Sequence, residues 1–207
     1  MVSLHAQKVL IQLFMISFSL QHARLYKMNN QQGTVFWLTG LSGSGKTTIG
    51  TALTEHLRSQ GYTIILLDGD HLREITGNIF GHHREQRLQA SLLYGRLCHM
   101  IAAQNINVVC ATISLFHETQ QWNRKNIPHY LEIFVDVPIA ELIKRDSKKI
   151  YSRAKEGTLE HVVGIDIAPE YPKNPDLIIK NDAHTNVQTA VNKIIKLFDL
   201  SLCVCNE

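Results

Sequence analysis

The residues best suited to chemistry are Gly40-Leu41-Ser42-Gly43-Ser44-Gly45-Lys46-Thr47, which fit the pattern GxxxxGK[ST]. Glycines in such a run let the backbone turn tightly, so that successive N–H groups converge on phosphate oxygens. Lys46 supplies a charge for the β- and γ-phosphates, and the Thr47 hydroxyl is a ligand for Mg²⁺. The pattern predicts a site for a nucleoside triphosphate, ATP foremost, built from Gly40, Ser42, Gly43, Ser44, Gly45, Lys46, Thr47 and Thr48.

Two carboxylates follow in Asp68-Gly69-Asp70, with Arg73 three residues on. One carboxylate can hold Mg²⁺ while the other orients or deprotonates an attacking hydroxyl. Asp-Gly is also a common solvated turn, so position must decide. Further candidates are Ser114 and Phe116, then Arg124, and a basic series of Arg145, Lys148, Tyr151, Arg153 and Lys155. A basic face is often merely solvated, but this one is spaced along a segment suited to closing over phosphates.

These residues need a scaffold, and the pattern predicts α/β. Apolar runs at 34–39, 63–67, 107–113, 130–137 and 177–180 read as strands. Between them, 46–60 has helical spacing of Ile49, Leu53 and Leu57, and 84–104 repeats Leu88, Leu92, Leu93, Leu97 and Ile101. Pro138 opens a short helix to about Arg145, and 185–200 closes the chain as a helix. Alternation of this kind implies a parallel sheet covered on both faces, with function in the loops at the carboxyl ends of the strands. The strand that ends at Asp68 is expected beside the strand that feeds the phosphate loop. Residues 69–83 and 148–174 fit neither template.

The chain has 207 residues, 44% hydrophobic and 19% charged, with a formal net charge of +3, which suits one soluble domain. The mild positive balance fits a small anionic substrate; without a Lys/Arg run or interleaved aromatics it does not suggest nucleic acid. The four cysteines, Cys98, Cys110, Cys203 and Cys205, form no CxxC pair and read as free thiols of a reducing compartment. Residues 9–20 are apolar after Lys8 and weakly resemble a signal-peptide core, yet are too short to span a membrane comfortably. The domain expectation is an N-terminal extension over 1–32, poorly ordered, a domain over 33–200 with a lid around 148–174, and a tail over 201–207. An ATP-dependent enzyme belongs in the cytoplasm, without stable membrane association.

With these residues in view, the chain resembles adenylylsulfate (APS) kinase from about Gly33 to Lys196. The phosphate loop of residues 36–48 carries the likeness first, then Asp68-Gly69-Asp70 with Arg73, Ile113-Ser114, and Arg145-Asp146 with Lys148 and Tyr151. Gly164-Ile165-Asp166, followed by Glu170, Pro172 and Asn174-Pro175, is the most specific part. The resemblance implies a nucleoside-triphosphate kinase fold and transfer from ATP, with Mg²⁺, to the ribose 3′-hydroxyl of adenosine 5′-phosphosulfate. It further implies Lys46, Asp68, Asp70 and Ser114 in catalysis, Thr47 and Asp68 at the metal, and Arg145 on the ATP side. Arg73, Phe80, Arg84, Arg87, Ile113, Lys148, Val162, Gly164, Ile165 and Asp166 would contact the acceptor, and the enzyme would be a homodimer.

The departures cluster on the acceptor side. His71 stands in place of an Asn, and His83-Arg84-Glu85-Gln86-Arg87 keeps an Arg but loses the Asn of Asp-Arg-x-x-Asn. Leu88, Gln89 and Ala90 replace an arginine pair, and Ser114-Leu115-Phe116-His117 lacks an Arg. Glu160-His161-Val162-Val163 replaces Lys-Gly-Phe-Thr, whose Phe would sandwich adenine with Phe80. Base–aromatic stacking is worth about 1–3 kcal/mol, so losing one face costs about 5- to 150-fold in binding. A related enzyme acting on another nucleotide, such as CDP-phosphoramidate in surface-polysaccharide synthesis, is the alternative, because a pyrimidine suits a narrower pocket at Val162. A guanine-reading Asn-Lys-x-Asp motif is missing, which weighs against a GTP switch. Intact Lys46, Thr47, Asp68 and Asp70 weigh against an inactive binding module.

Overall fold

The structure, a computed structural model, describes residues 32–77, 79–146, 148–181 and 186–204. The expectations about residues 1–31 and about the side chains of Cys203 and Cys205 lie outside the described residues. Cys98 and Cys110 are free and buried.

Five parallel strands form one sheet: β1 (Val35–Thr39), β2 (Ile64–Asp68), β3 (Asn107–Ala111), β4 (Tyr130–Asp136) and β5 (Leu177–Lys180). β1 is entirely buried, as a parallel strand covered on both faces must be. Its side chains alternate between two cores. Phe36 and Leu38 pack with Ile49, Leu53 and Leu57 of α1 (Lys46–Ser59) and with Ile194 and Phe198 of α7 (Val187–Val204). Val35 and Trp37 pack with Tyr94, Cys98 and Ala102 of α3 (Arg84–Ala102).

The strand order is β2-β3-β1-β4-β5, which corrects the expected neighbourhood of β1 and β2. β3 lies between them, with Ala111 facing Leu38 on one side and Asp68 on the other. The physical reason is burial. Val108, Val109, Cys110 and Ala111 are apolar on both faces and take an interior place, whereas β2, with Ile65 36% exposed, tolerates the edge.

Three helices occupy segments that showed no apolar period. α2 (Gly69–Ile75) starts directly after β2, where the Asp68 carboxylate accepts the Asp70 N–H at 2.9 Å as an N-cap. α4 (His117–Asn126) buries Thr119, Gln120 and Asn123, so its inward face is polar. Ser91 and Thr119 share a buried hydroxyl hydrogen bond of 2.8 Å there. α5 (Ile139–Arg145) follows Pro138 as expected, and α6 (Ile150–Lys155) adds a short helix within 148–174.

The helix α3 is rotated relative to its leucine stripe. Its buried residues are Ala90, Ser91, Leu92, Tyr94, Gly95, Cys98 and Ala102, while Leu93 is 37% exposed. Small residues allow close approach to α4: a Cβ on Gly95 would run into the Asn123 side chain. That rotation aims Arg87, Ser91 and Tyr94, spaced i, i+4 and i+7, toward the carboxyl ends of the strands.

Candidate active site

A cavity of about 420 Å³ opens at the carboxyl ends of β2 and β3, over the start of α1. The phosphate loop forms its floor. Gly40 and Gly45 have φ of 152° and 96°, and a Cβ on Gly40 would lie 2.5 Å from the Val135 carbonyl oxygen. A Cβ on Gly45 would strike the Asn181 amide. Only glycine satisfies both constraints at Gly45. Ser44 is fully buried and its carbonyl accepts from Asn181 Nδ2 at 2.6 Å. Ser42, Gly43, Gly45, Lys46, Thr47 and Thr48 line the cavity; Gly40 and Ser44 shape the loop from beneath.

Lys46 is 8% exposed, and its ammonium donates to the Leu41 carbonyl at 2.7 Å and lies 3.4 Å from Ser44 Oγ. Burial first, and then the charge of Lys148, lower its pKa to about 7, against the opposing pull of Asp68 and Asp70. The side chain is folded onto its own loop, and no carboxylate among the described residues forms an ion pair with it.

The two carboxylates of Asp68-Gly69-Asp70 have different surroundings. Asp68 is 7% exposed, and it accepts from Thr47 Oγ1 at 2.7 Å as well as from the Asp70 amide. Asp70 has a 75% exposed side chain at the cavity rim, paired with Lys148 Nζ at 2.5 Å. Ser114 and Ile113 close the wall behind them. Ser114 is buried with φ of 24°, unusual for a residue with a side chain, and its hydroxyl is 3.2 Å from that of Thr112.

The remaining wall comes mainly from α2 and α3. Arg73 Nη1 donates to the carbonyls of Phe80 and Gly81 at 3.0 and 3.4 Å. Arg87 donates through Nε to the His82 carbonyl at 2.8 Å and through Nη2 to the His161 carbonyl at 2.9 Å. Both arginines line the cavity. Burial, then the charges of Arg73, Arg87 and His161, hold His82 below its ordinary pKa.

Several residues named from the sequence stand elsewhere. Phe80 packs its ring on the Trp37 core and does not line the cavity. Arg84 is engaged with Glu170 and lies 5.6 Å over the Phe116 ring. Arg124 pairs with Asp176 and Glu132 at 3.0 and 3.2 Å. Arg145 donates to the Asn181 carbonyl at 3.0 Å, so it supports the residue that touches the phosphate loop. Asp146 caps α6 by accepting the amides of Tyr151 and Ser152 at 3.0 and 2.9 Å. The Tyr151 hydroxyl donates to the Ser42 carbonyl at 2.8 Å and ties α6 to the loop.

Gly164-Ile165-Asp166 forms a turn outside the cavity lining. The Asp166 carboxylate accepts the amides of His161 and Val162, Ile165 is 44% exposed, and Gly164 has φ of 96° against Leu41. Val162 is buried in the core beneath α5 and α6, and the neighbouring Val163 lines the cavity. The reason is that the Asp166 turn fixes which of the two valines faces inward. Sequence reasoning passed over His82, Ser91, Tyr94, Ile150 and Val163 as lining residues. The polar stripe of Arg87, Ser91 and Tyr94 beside the leucines was the signal for that wall.

The sequence matches the model of the adenylylsulphate kinase family over residues 32–180. The chain belongs to that family of phosphotransferases, whose acceptor is an alcohol group. It is 41% identical over 162 residues to the cytidine diphosphoramidate kinase of Campylobacter jejuni subsp. jejuni serotype O:2, covering 78% of this chain and 94% of that one. It is 36% identical over 169 residues to the adenylyl-sulfate kinase of Gloeothece citriformis, covering 82% and 96%. Its fold is similar to the Mycobacterium tuberculosis APS kinase solved in complex with AMPPNP and APS, with a TM-score of 0.77, 28% identity and coverage of 82% and 99%. The family expected from the sequence, its kinase fold and its reaction class are thus borne out.

Proposed function

We propose that this family member transfers the γ-phosphoryl group of ATP to the ribose 3′-hydroxyl of a 5′-substituted nucleotide. One observation carries the reading: a single cavity joins the phosphate loop to a cationic wall of Arg73 and Arg87, with Asp70 and Ser114 on its lining. A triphosphate on the loop would draw the Lys46 ammonium off Leu41, and the backbone amides would hold the phosphates by electrostatic preorganisation. The Thr47 hydroxyl and Asp68 carboxylate, 2.7 Å apart, are hard oxygen donors of the kind Mg²⁺ takes. They would hold the ion, which when bound offsets the charge on the phosphates.

Asp68 is committed to Thr47 and to capping α2, so Asp70 is the better base for the 3′-hydroxyl. Release of Lys148 from Asp70 would free the carboxylate to orient that hydroxyl and let the ammonium meet phosphate. Residues 148–174 would act as a lid that excludes water, with Tyr151 and the Arg87–His161 bond as its attachments. ATP use fits a cytoplasmic enzyme, and family resemblance fits a homodimer.

Of the two acceptors, adenosine 5′-phosphosulfate and cytidine diphosphoramidate, the second is favoured. Val163, not an aromatic ring, faces the cavity from the lid side, and Phe80 is turned into the core, so neither position of the expected adenine sandwich presents a ring; the aromatic lining is Tyr94 and Phe116 instead. The test is ADP release from Mg·ATP with each acceptor, with the new phosphate ester located by phosphorus NMR. Acceptor-dependent turnover at the 3′ position is expected. Equal turnover of adenosine 5′-phosphosulfate would remove the cytidine preference, and acceptor-independent ATP hydrolysis would remove the kinase reading.

A further inference from the structure

The wall built by α3 contains a phenol that no described protein group bonds. Tyr94 is 5% exposed, packs its ring in the Trp37 core and lines the cavity. Among the described residues its hydroxyl makes no protein hydrogen bond, and its oxygen is not one of the side-chain atoms sealed from solvent. The hydroxyl of a mostly buried tyrosine usually finds a partner, which here is either solvent in the cavity or a ligand. A buried ring on the lining of a binding cavity is placed to offer its hydroxyl to a ligand in place of solvent.

The chemistry of that ligand follows from what surrounds the phenol. Arg73 and Arg87 form no ion pair with a carboxylate among the described residues; their contacts are main-chain carbonyls and the His82 ring. Those bonds use Nη1 of Arg73 and Nε and Nη2 of Arg87, which leaves Nε and Nη2 of Arg73 and Nη1 of Arg87 as donors. Arg73 sits close enough for its charge to act on both Arg87 and Tyr94, opposing the rise that burial imposes on the phenol. Two cations beside a neutral hydroxyl make a positive potential, in which the hydroxyl donates to an oxyanion. Ser91, one turn before Tyr94, already donates to Thr119 and is left as an acceptor.

We infer that Tyr94 is a specificity-determining residue whose hydroxyl donates to a phosphoryl oxygen of the acceptor's 5′ substituent, seated with Arg73 and Arg87. This deepens the proposed function and rests on it for the identity of the ligand as the acceptor nucleotide. A site that hydrogen-bonds one substrate group discriminates strongly against substrates without it, because the buried partner is then unpaired. Tyr94 thus selects acceptors by what hangs on the 5′ carbon rather than by the base.

The test is Tyr94→Phe, which keeps the ring in the core and removes only the oxygen. The KM for cytidine diphosphoramidate and for CDP should rise about 10- to 150-fold, the range of a hydrogen bond to a charged group. The KM for ATP should stay within about twofold, and the melting temperature should not fall. Calorimetric titration of CDP into protein preloaded with Mg·ADP gives the same comparison without chemistry. An unchanged CDP affinity in Tyr94→Phe overturns the inference and leaves the kinase reading standing. Normal binding loss without turnover by the unaltered protein overturns the kinase reading alone. Equal losses for ATP and acceptor would mark Tyr94 as merely structural, and no CDP binding by either protein overturns both.

Discussion

The two halves of the cavity are built on different principles. The donor half is backbone. Its geometry comes from Gly40 and Gly45 in conformations that side chains resist, and it is clamped by Asn181 and Tyr151, with Arg145 holding Asn181 from behind. The other half, proposed above for the acceptor, is side chains: Arg73, Arg87, His82, Ser91 and Tyr94 project from α2, α3 and the loop between. A backbone cradle recognises what every nucleoside triphosphate shares and tolerates little change. A wall of side chains can be rewritten one residue at a time without disturbing the sheet. A family with one donor and more than one acceptor is the outcome that contrast leads one to expect.

The largest test of the contrast falls on the donor half. Lys46→Ala should lower kcat by about 10³-fold, since it deletes a preorganised charge on the transferring phosphoryl group. It should not lower the melting temperature, because a desolvated ammonium is removed with it. A large fall in melting temperature would mean that Lys46 holds the loop together, against the present account. Next, Asp70→Asn should reduce kcat by about 10²-fold or more while the KM for ATP stays within about twofold. If Asp68→Asn instead leaves metal dependence intact and abolishes proton transfer, the assignment of the two carboxylates is reversed.

The acceptor half should respond by changing preference rather than by losing activity. Val163→Phe adds a ring on the lid side of the cavity and should raise relative use of adenosine over cytidine acceptors by about 5-fold or more. No change in the ratio would show that the lid wall does not touch the base.

The smallest expected effect is a proton. With its pKa lowered to about 7, Lys46 is mostly neutral at pH 8, and a bound triphosphate should restore its charge. Calorimetry of Mg·ATP binding at pH 8 in buffers of different ionisation enthalpy should show uptake of up to about one proton, fading toward pH 6. The same shift sets a sign for stability. A lysine with a lowered folded pKa costs stability in full below about pH 7, and the cost fades as pH rises toward the unfolded value of 10.5. Replacing Lys46 by Met should therefore stabilise more at pH 6 than at pH 10.

The phosphate loop, the five strands and the long helices were legible in the sequence because each rests on a local rule: a glycine pattern, an apolar run or a helical repeat. So was the family, through motifs that need no knowledge of where they lie. The placement of β3 between β1 and β2 was not legible, because interior position is a competition among strands for burial. The helix α4 was hidden because its inward face is Thr119, Gln120 and Asn123, matched to Ser91 and Tyr130 by hydrogen bonds rather than by apolar contact. Which valine lines the cavity depended on the Asp166 turn, and the fate of Phe80 on the Trp37 core. By itself, then, the sequence determined that this chain binds a triphosphate and belongs to a kinase family, since backbone turns and strand periods are encoded by neighbours along the chain. Only the tertiary structure decided which side chains line the cavity, because the rotation of α3 on the sheet is set by close packing of Ala90, Gly95 and Cys98, and no local pattern records it.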